Sequence, residues 1–100
     1  MFLASVVWDA LSYYHQRIMG TFRVLLFAGL RDAAGVDSLQ IVAPPLTKAS
    51  DLMHALEDQY PELITWLRRS RLAVNQRFVT PDELVDNVAE IALIPPVSGG

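Results

Sequence analysis

No cysteine occurs among the 100 residues. Disulfides, thiolate nucleophiles and cysteine-bound zinc are excluded at once, and any sulfur chemistry must use sulfur brought from outside the side chains. Lysine is nearly as scarce, Lys48 being the only one. Eight bases face eleven acids for a net charge of −3. The clustered basic excess of nucleic-acid binders is missing, so no nucleic-acid partner is expected. The histidines are His15 and His54 alone. His54 and Glu57 stand one helical turn apart, but a zinc site needs three or four such groups; the pair reads as a solvated helix face and no metal is expected. No glycine loop leads into Lys-Ser or Lys-Thr, and no serine stands in a nucleophile elbow. Asp82-Glu83 reads as loop polarity. The body of the chain offers no active site of its own.

What is present is unevenly spread. Thirteen of the first 19 residues are apolar, against 39 of the remaining 81. Met1 to Trp8 is an apolar run stopped by Asp9, with no basic residue ahead of it and no small-residue cleavage pattern. It is a poor secretory signal and far shorter than the roughly 20 residues of a membrane span, so no membrane is expected. Leu3, Val7, Leu11, Tyr14 and Ile18 recur at helical spacing. Three readings stand: a start assigned upstream of the true one at Met19, a helix touching a partner or membrane, or an unused tail. The first is preferred, because Gly20 follows Met19 and the globular pattern begins directly after it. The expected organisation is an extension over residues 1–19, one domain over 20–94 and a tail over 95–100.

Within the domain, Arg23 to Ala28 reads as a buried strand, ended by a polar turn from Gly29 to Gly35. Ser38 to Val42 alternates, with Leu39 and Ile41 on one face. Pro44-Pro45 blocks further ladder pairing. Thr47 is the expected N-cap of a helix whose inward face carries Ala49, Leu52, Met53, Leu56 and Tyr60. Pro61 ends that helix and opens a second short one, with Leu63, Ile64 and Leu67 inward. Arg68, Arg69 and Arg71 cluster near its end, where cations complement the helix dipole; the alternative is a dock for an acidic partner surface. Leu72 to Val74 and Arg77 to Val79 flank Asn75-Gln76 as a tight hairpin or a bend. Thr80 to Val88 reads as loop, and Glu90 to Ile94 as a last strand with Ile91 and Leu93 inward. The order ββ-α-β-β implies an α+β fold, a mixed sheet with one main helix on one face.

The chain then ends in Pro95, Pro96, Val97, Ser98, Gly99 and Gly100. Two prolines stop pairing and hold the backbone extended away from the sheet. Ser98-Gly99-Gly100 has almost no width, and glycine permits any φ that a narrow channel requires. The terminal carboxylate is the one group suited to covalent chemistry. It becomes an acyl donor once it attacks the α-phosphate of ATP, and a sulfur or nitrogen nucleophile can then displace the adenylate. A bulky last residue would crowd that carbon.

Phe27-Ala28-Gly29-Leu30-Arg31-Asp32 with Gly35, Ala73-Val74-Asn75, and Glu90 through Gly100 closely resemble the MoaD/ThiS family of ubiquitin-like sulfur carriers, in its molybdopterin synthase small-subunit branch. The resemblance spans essentially Thr21 to Gly100, and Pro-Pro-Val-Ser-Gly-Gly is its most specific element. It implies a β-grasp, ubiquitin-like fold in a cytoplasmic protein. It implies that Gly100 is adenylated by a MoeB-like activating enzyme using ATP and converted to a thiocarboxylate. Residues 95–100 then enter a MoaE-like large subunit and deliver sulfur to cyclic pyranopterin monophosphate, building the molybdopterin dithiolene in a heterotetramer of two small and two large subunits. On this resemblance the chain has no catalytic residue and binds no cofactor itself, and Phe78 is a candidate partner contact, with core packing the alternative.

Where the family usually has Asp-Gly-Asp-Glu, this chain has Asn87-Val88-Ala89-Glu90. Valine tolerates positive φ poorly, so a turn with Asn87 in the left-handed region is expected. Two other functions stay open: a ubiquitin-like modifier conjugated through Gly100, which a single lysine mildly disfavours, and a thiamine-pathway carrier, whose tails typically lack the Pro-Pro pair.

Overall fold

The computed structural model describes residues 19–96. The apolar head up to Ile18 and the tail residues Val97, Ser98, Gly99 and Gly100 lie outside the described residues. The chain opens with strand β1 (Gly20–Leu26), helix α1 (Ala28–Ala34) and strand β2 (Ser38–Ala43). Strand β3 (Leu46–Lys48) and the main helix α2 (Ala49–Gln59) follow. A 3-10 turn (Pro61–Leu63) and helix α3 (Ile64–Arg69) lead into strands β4 (Arg71–Val74), β5 (Arg77–Phe78), β6 (Leu84–Asp86) and β7 (Ile91–Ile94). Five strands form a sheet in the order β2-β1-β7-β4-β5, and β3 pairs with β6 in a small separate ladder. No helix among the described residues is long and apolar enough to cross a membrane.

The last strand lies in the middle of the sheet. β7 runs parallel to β1, with Val24, Leu25 and Leu26 in register with Ile91, Ala92 and Leu93. On its other side β7 is antiparallel to β4, pairing Arg71 with Ile94 and Val74 with Ile91. Strand alternation then sends Phe22, Val24, Leu26, Leu39, Ile41, Ile91 and Leu93 to one face, where α2 covers them with Leu52 and Leu56. Each such side chain taken fully out of water contributes roughly 1.5–3 kcal/mol. Ala49, Leu52 and Leu56 are buried and Met53 and Tyr60 pack at the margin, as the helical spacing predicts.

Four local expectations are corrected. The expected polar turn after β1 is helix α1: Leu30 is fully buried, and Gly35 closes the helix at φ 74°, its N–H donating to the Arg31 carbonyl at 2.9 Å. So short a helix, with a single inward side chain, leaves no periodicity to read. Thr47 does not cap α2. It lies buried in β3 opposite Val85, and its hydroxyl donates to the Pro44 carbonyl. The first helical N–H groups, of Ala49 and Ser50, donate instead to the carbonyls of Glu83 and Pro81, at 2.8 and 3.0 Å. The stretch read as loop holds β6, whose Val85 is buried between exposed Leu84 and Asp86. Finally, neither Asn87 nor Val88 takes positive φ. Asp86 builds that turn, its carboxylate accepting the Val88 N–H at 3.0 Å and its carbonyl the Ala89 N–H at 3.1 Å.

The second short helix is present, with Leu63 and Leu67 buried and Ile64 half-buried. Arg68 and Arg69 occupy its last turn. On the outer edge of the sheet, the Gln59 carboxamide accepts the Val42 N–H at 3.1 Å and donates to the Val42 carbonyl at 3.0 Å. The Tyr60 hydroxyl donates to the Gln40 carbonyl at 2.8 Å. Helices α1 and α3 meet at Gly29, where a Cβ would fall inside the Trp66 indole, on Cη2 and Cζ3. Gly29→Ala is expected to cost about 1–3 kcal/mol by overpacking. Urea denaturation checks it, and combining the change with Trp66→Leu should recover most of the loss.

Candidate functional site

The face of the sheet opposite α2 is where strand alternation departs from the usual pattern. In β7, Ile91 and Leu93 point into the core, yet Ala92 and Ile94 on the other side are also apolar. A strand apolar on both faces has something to cover on each. With Ala73 of β4 and Phe78 of β5 they line a groove of about 330 Å³, together with Phe27, Gln76 and Glu90. Phe27 and Phe78 are 43% and 44% exposed. Phe78 therefore lies outside the core. Its ring carries the Arg71 guanidinium, with Cζ 3.9 Å from the ring centroid.

Local sequence explains how each wall is set. Phe27 is the residue between β1 and α1, and the next residue, Ala28, has φ 50°. A left-handed alanine is strained by about 1–2 kcal/mol and persists only where its surroundings impose it. Here β1 must stop pairing while Leu30 is delivered to the core. On the other wall, Asn75 and Gln76 both take positive φ, 51° and 67°, which makes the two-residue hairpin a type I′ turn and presents Phe78 opposite Ala73. Asn75 also reaches the neighbouring strand. Its N–H donates to the Glu90 carbonyl at 2.8 Å and its Oδ1 accepts the Glu90 N–H at 3.1 Å. The hairpin is thereby tied to the lead-in of β7.

The groove ends where the tail begins. β7 ends at Ile94, so both prolines lie beyond the sheet; Pro95 is still buried and Pro96 is exposed. Among the described residues, no three His, Cys, Asp or Glu side chains converge as a metal site. Glu57 accepts from Arg68 Nε at 3.3 Å and lines a shallow hollow with His54. Sequence reasoning singled out Phe78, the apolar residues near the tail and the tail itself, but not a groove that joins them to Phe27 and Ala73. The doubly apolar pattern of β7 was the available signal.

Next to Phe78 in the chain, Arg77 Nη2 and Glu83 Oε2 form an ion pair at 2.8 Å, with a second contact from Nη1 to Oε1 at 3.2 Å. The Arg77 hydrogen bond, helped by the Thr80 N–H, holds the Glu83 carboxyl below its ordinary value of 4.5, and Glu83 raises that of Arg77.

A mixed five-stranded sheet with a central parallel β1–β7 pair, one main helix across one face and the C-terminal strand in the middle is a β-grasp, the ubiquitin-like fold. The profile of the ThiS family matches residues 24–100, and the chain belongs to that family. A molybdopterin synthase sulfur carrier subunit of Dictyostelium discoideum is 40% identical over 82 residues, covering 79% of this chain and 95% of that one. The solution structure of small archaeal modifier protein 1 of Methanosarcina acetivorans is 27% identical with a TM-score of 0.63, over 82% of this chain and 98% of that one. A chain in the complex of subunits 1 and 2 of the Helicobacter pylori molybdopterin-converting factor shares the fold, at 22% identity and TM-score 0.58, over 81% of this chain and 100% of that one.

A depressed carboxyl stabilises the fold at every pH above its unfolded value and loses that contribution as pH falls through the folded one. Glu83→Gln should therefore flatten part of the acid limb below the ordinary value of 4.5, with Arg77 charged throughout. Denaturation midpoints of both proteins, followed from neutral pH downward, check this.

Proposed function

We propose that the chain is the sulfur carrier subunit of a molybdopterin synthase. The observation that carries this reading is the 40% identity, over nearly all of its length, of a relative named as that subunit. The Pro-Pro-Val-Ser-Gly-Gly ending and the lack of cysteine support it. In this reading the Gly100 carboxylate attacks the α-phosphorus of ATP on a MoeB-like activating enzyme, releasing pyrophosphate and leaving an acyl-adenylate. A sulfur nucleophile then displaces AMP, so that a C–S bond replaces the C–O bond and a thiocarboxylate results. Pro95, Pro96, Val97, Ser98, Gly99 and Gly100 enter the MoaE-like large subunit, where the sulfur passes to cyclic pyranopterin monophosphate to form the dithiolene. The small subunit supplies the reacting carboxylate, no catalytic side chain and no bound cofactor.

The exposed groove of Phe27, Phe78 and Ile94 is the surface on which the protein receiving the tail rests. An apolar strip beside the tail holds the partner while the tail occupies its channel, so binding energy and chemistry reside in different parts of one chain. A heterotetramer of two small and two large subunits in the cytoplasm completes the proposal. A second reading, conjugation of Gly100 to lysines of other proteins, is favoured by the likeness to small archaeal modifier protein 1.

Intact-mass spectrometry separates the two. Incubation with the activating enzyme, ATP and a sulfur source should add about 16 Da as sulfur replaces one oxygen. Recovery of the unmodified carboxylate alone would overturn the carrier reading, and high-mass adducts on target lysines would favour the modifier. Deleting Gly100 should abolish sulfur transfer while leaving the thermal midpoint nearly unchanged.

A further inference from the structure

Glu90 is the one charged residue that lines the groove, and Arg71, outside the lining, borders it at the opposite end through Phe78 and Ile94. Glu90 lines the end where β7 begins. Arg71 is in register with Ile94 at the other, roughly 13 Å along the strand direction at 3.3 Å per residue. Arg71 is one of two arginines among the described residues that face a ring rather than a carboxylate; the other, Arg69, lies farther off, 6.0 Å from the Trp66 ring centroid. Among the described residues, Arg68 pairs with Glu57 and Arg77 with Glu83, whereas Arg71 makes no ion pair and lies over the ring of Phe78, beside a hollow that His54 and Glu57 also line. A guanidinium stacked on a ring spends its flat face there. Its N–H donors lie in the plane and project past the ring, in the fork that matches a carboxylate.

That arrangement constrains whatever covers the groove. Laying an apolar surface over an unpaired guanidinium strips its water without replacing the hydrogen bonds, which is strongly unfavourable. A partner that covers Phe78 and Ile94 must therefore bring an acceptor to Arg71. The chain's net charge of −3 and the apolar surroundings exclude a polyanion such as nucleic acid as that acceptor. We infer that an Asp or Glu of the protein receiving the tail docks bidentately on Arg71, at the end of the groove where Pro95-Pro96 leave the sheet. The inference rests on the carrier reading, because it takes the partner to be the large subunit into which the tail inserts. Arg71 is a positioning residue: with Glu90 at the far end it gives the face a polarity, so a complementary partner seats with its acid beside the tail channel rather than turned end for end.

Calorimetric binding of the full chain to the large subunit from the same source tests this, at low salt and again at high salt. Arg71→Leu should weaken binding about tenfold and Arg71→Glu further, with Arg71→Lys between wild type and leucine, because a point charge keeps attraction but loses the fork. The gaps should narrow at high salt, a response that lost packing alone would not give. Thermal midpoints identify any variant that fails to fold; the lysine variant and the salt dependence of wild-type binding then carry the test. Wild-type affinity in Arg71→Leu, or equal losses at both salt concentrations, overturns the inference. The carrier reading is scored separately on the same samples: Gly100 gaining sulfur mass sustains it whatever Arg71 does, whereas wild type that neither binds the large subunit nor gains sulfur removes both.

Discussion

The parallel pairing of β1 with β7 is the constraint on which the rest of the molecule depends. It joins Val24 to Ile91 and Leu26 to Leu93, residues from opposite ends of the domain. A parallel pair cannot be closed by a tight turn, so everything between the two strands must serve as the crossover. Helix α2 lies over the sheet because Leu52 and Leu56 have to cover what that pairing brings together. Pairing β7 on both sides also fixes where the chain must depart. The final residues leave from the centre of a sheet rather than from its rim, and the last strand cannot fray without opening the core.

That position explains the division of labour within β7. Ile91 and Leu93 hold the domain together, while Ala92 and Ile94, one residue along in each case, belong to the exposed groove. Core and groove thus occupy alternate residues of one four-residue strand. A slip by one residue would exchange them, placing the groove residues in the core and the core residues on the surface. Its register is held by β1, by β4 and by the two Asn75 bonds to Glu90.

Most of the core and the order of the large elements were legible in the residues themselves. The run from Arg23, the alternation at Leu39 and Ile41, the spacing of Ala49, Leu52 and Leu56 and the stop at Pro61 each rest on one strong local signal. The misses share a cause. Thr47 is a good cap by type, but its side chain was claimed by the Pro44 carbonyl and its backbone by Val85. Three residues of β6 and seven of α1 bury one side chain each, too few to make a period. Valine at position 88 raised an expectation of left-handed backbone at Asn87, yet Asp86 supplied the turn with ordinary φ throughout. As for the site, the tail was visible as composition and Phe78 as a residue. The groove was not, because β4, β5, β7 and the end of β1 build it together, and only the sheet order brings them side by side.

The Gln59 and Tyr60 contacts to β2 have a consequence for how the protein behaves among its own kind. A free β-strand margin is a template for another strand, and sheets with bare margins recruit neighbours into fibrils. One margin here is β2, whose Val42 N–H and carbonyl and Gln40 carbonyl are already occupied by helix side chains acting as a surrogate strand. The opposite margin, β5, is two residues long. Lateral growth is closed at one side and offered almost no length at the other. Aromatic side chains such as Phe27 and Phe78 can therefore stand exposed beside sheet margins that give another strand little to pair with.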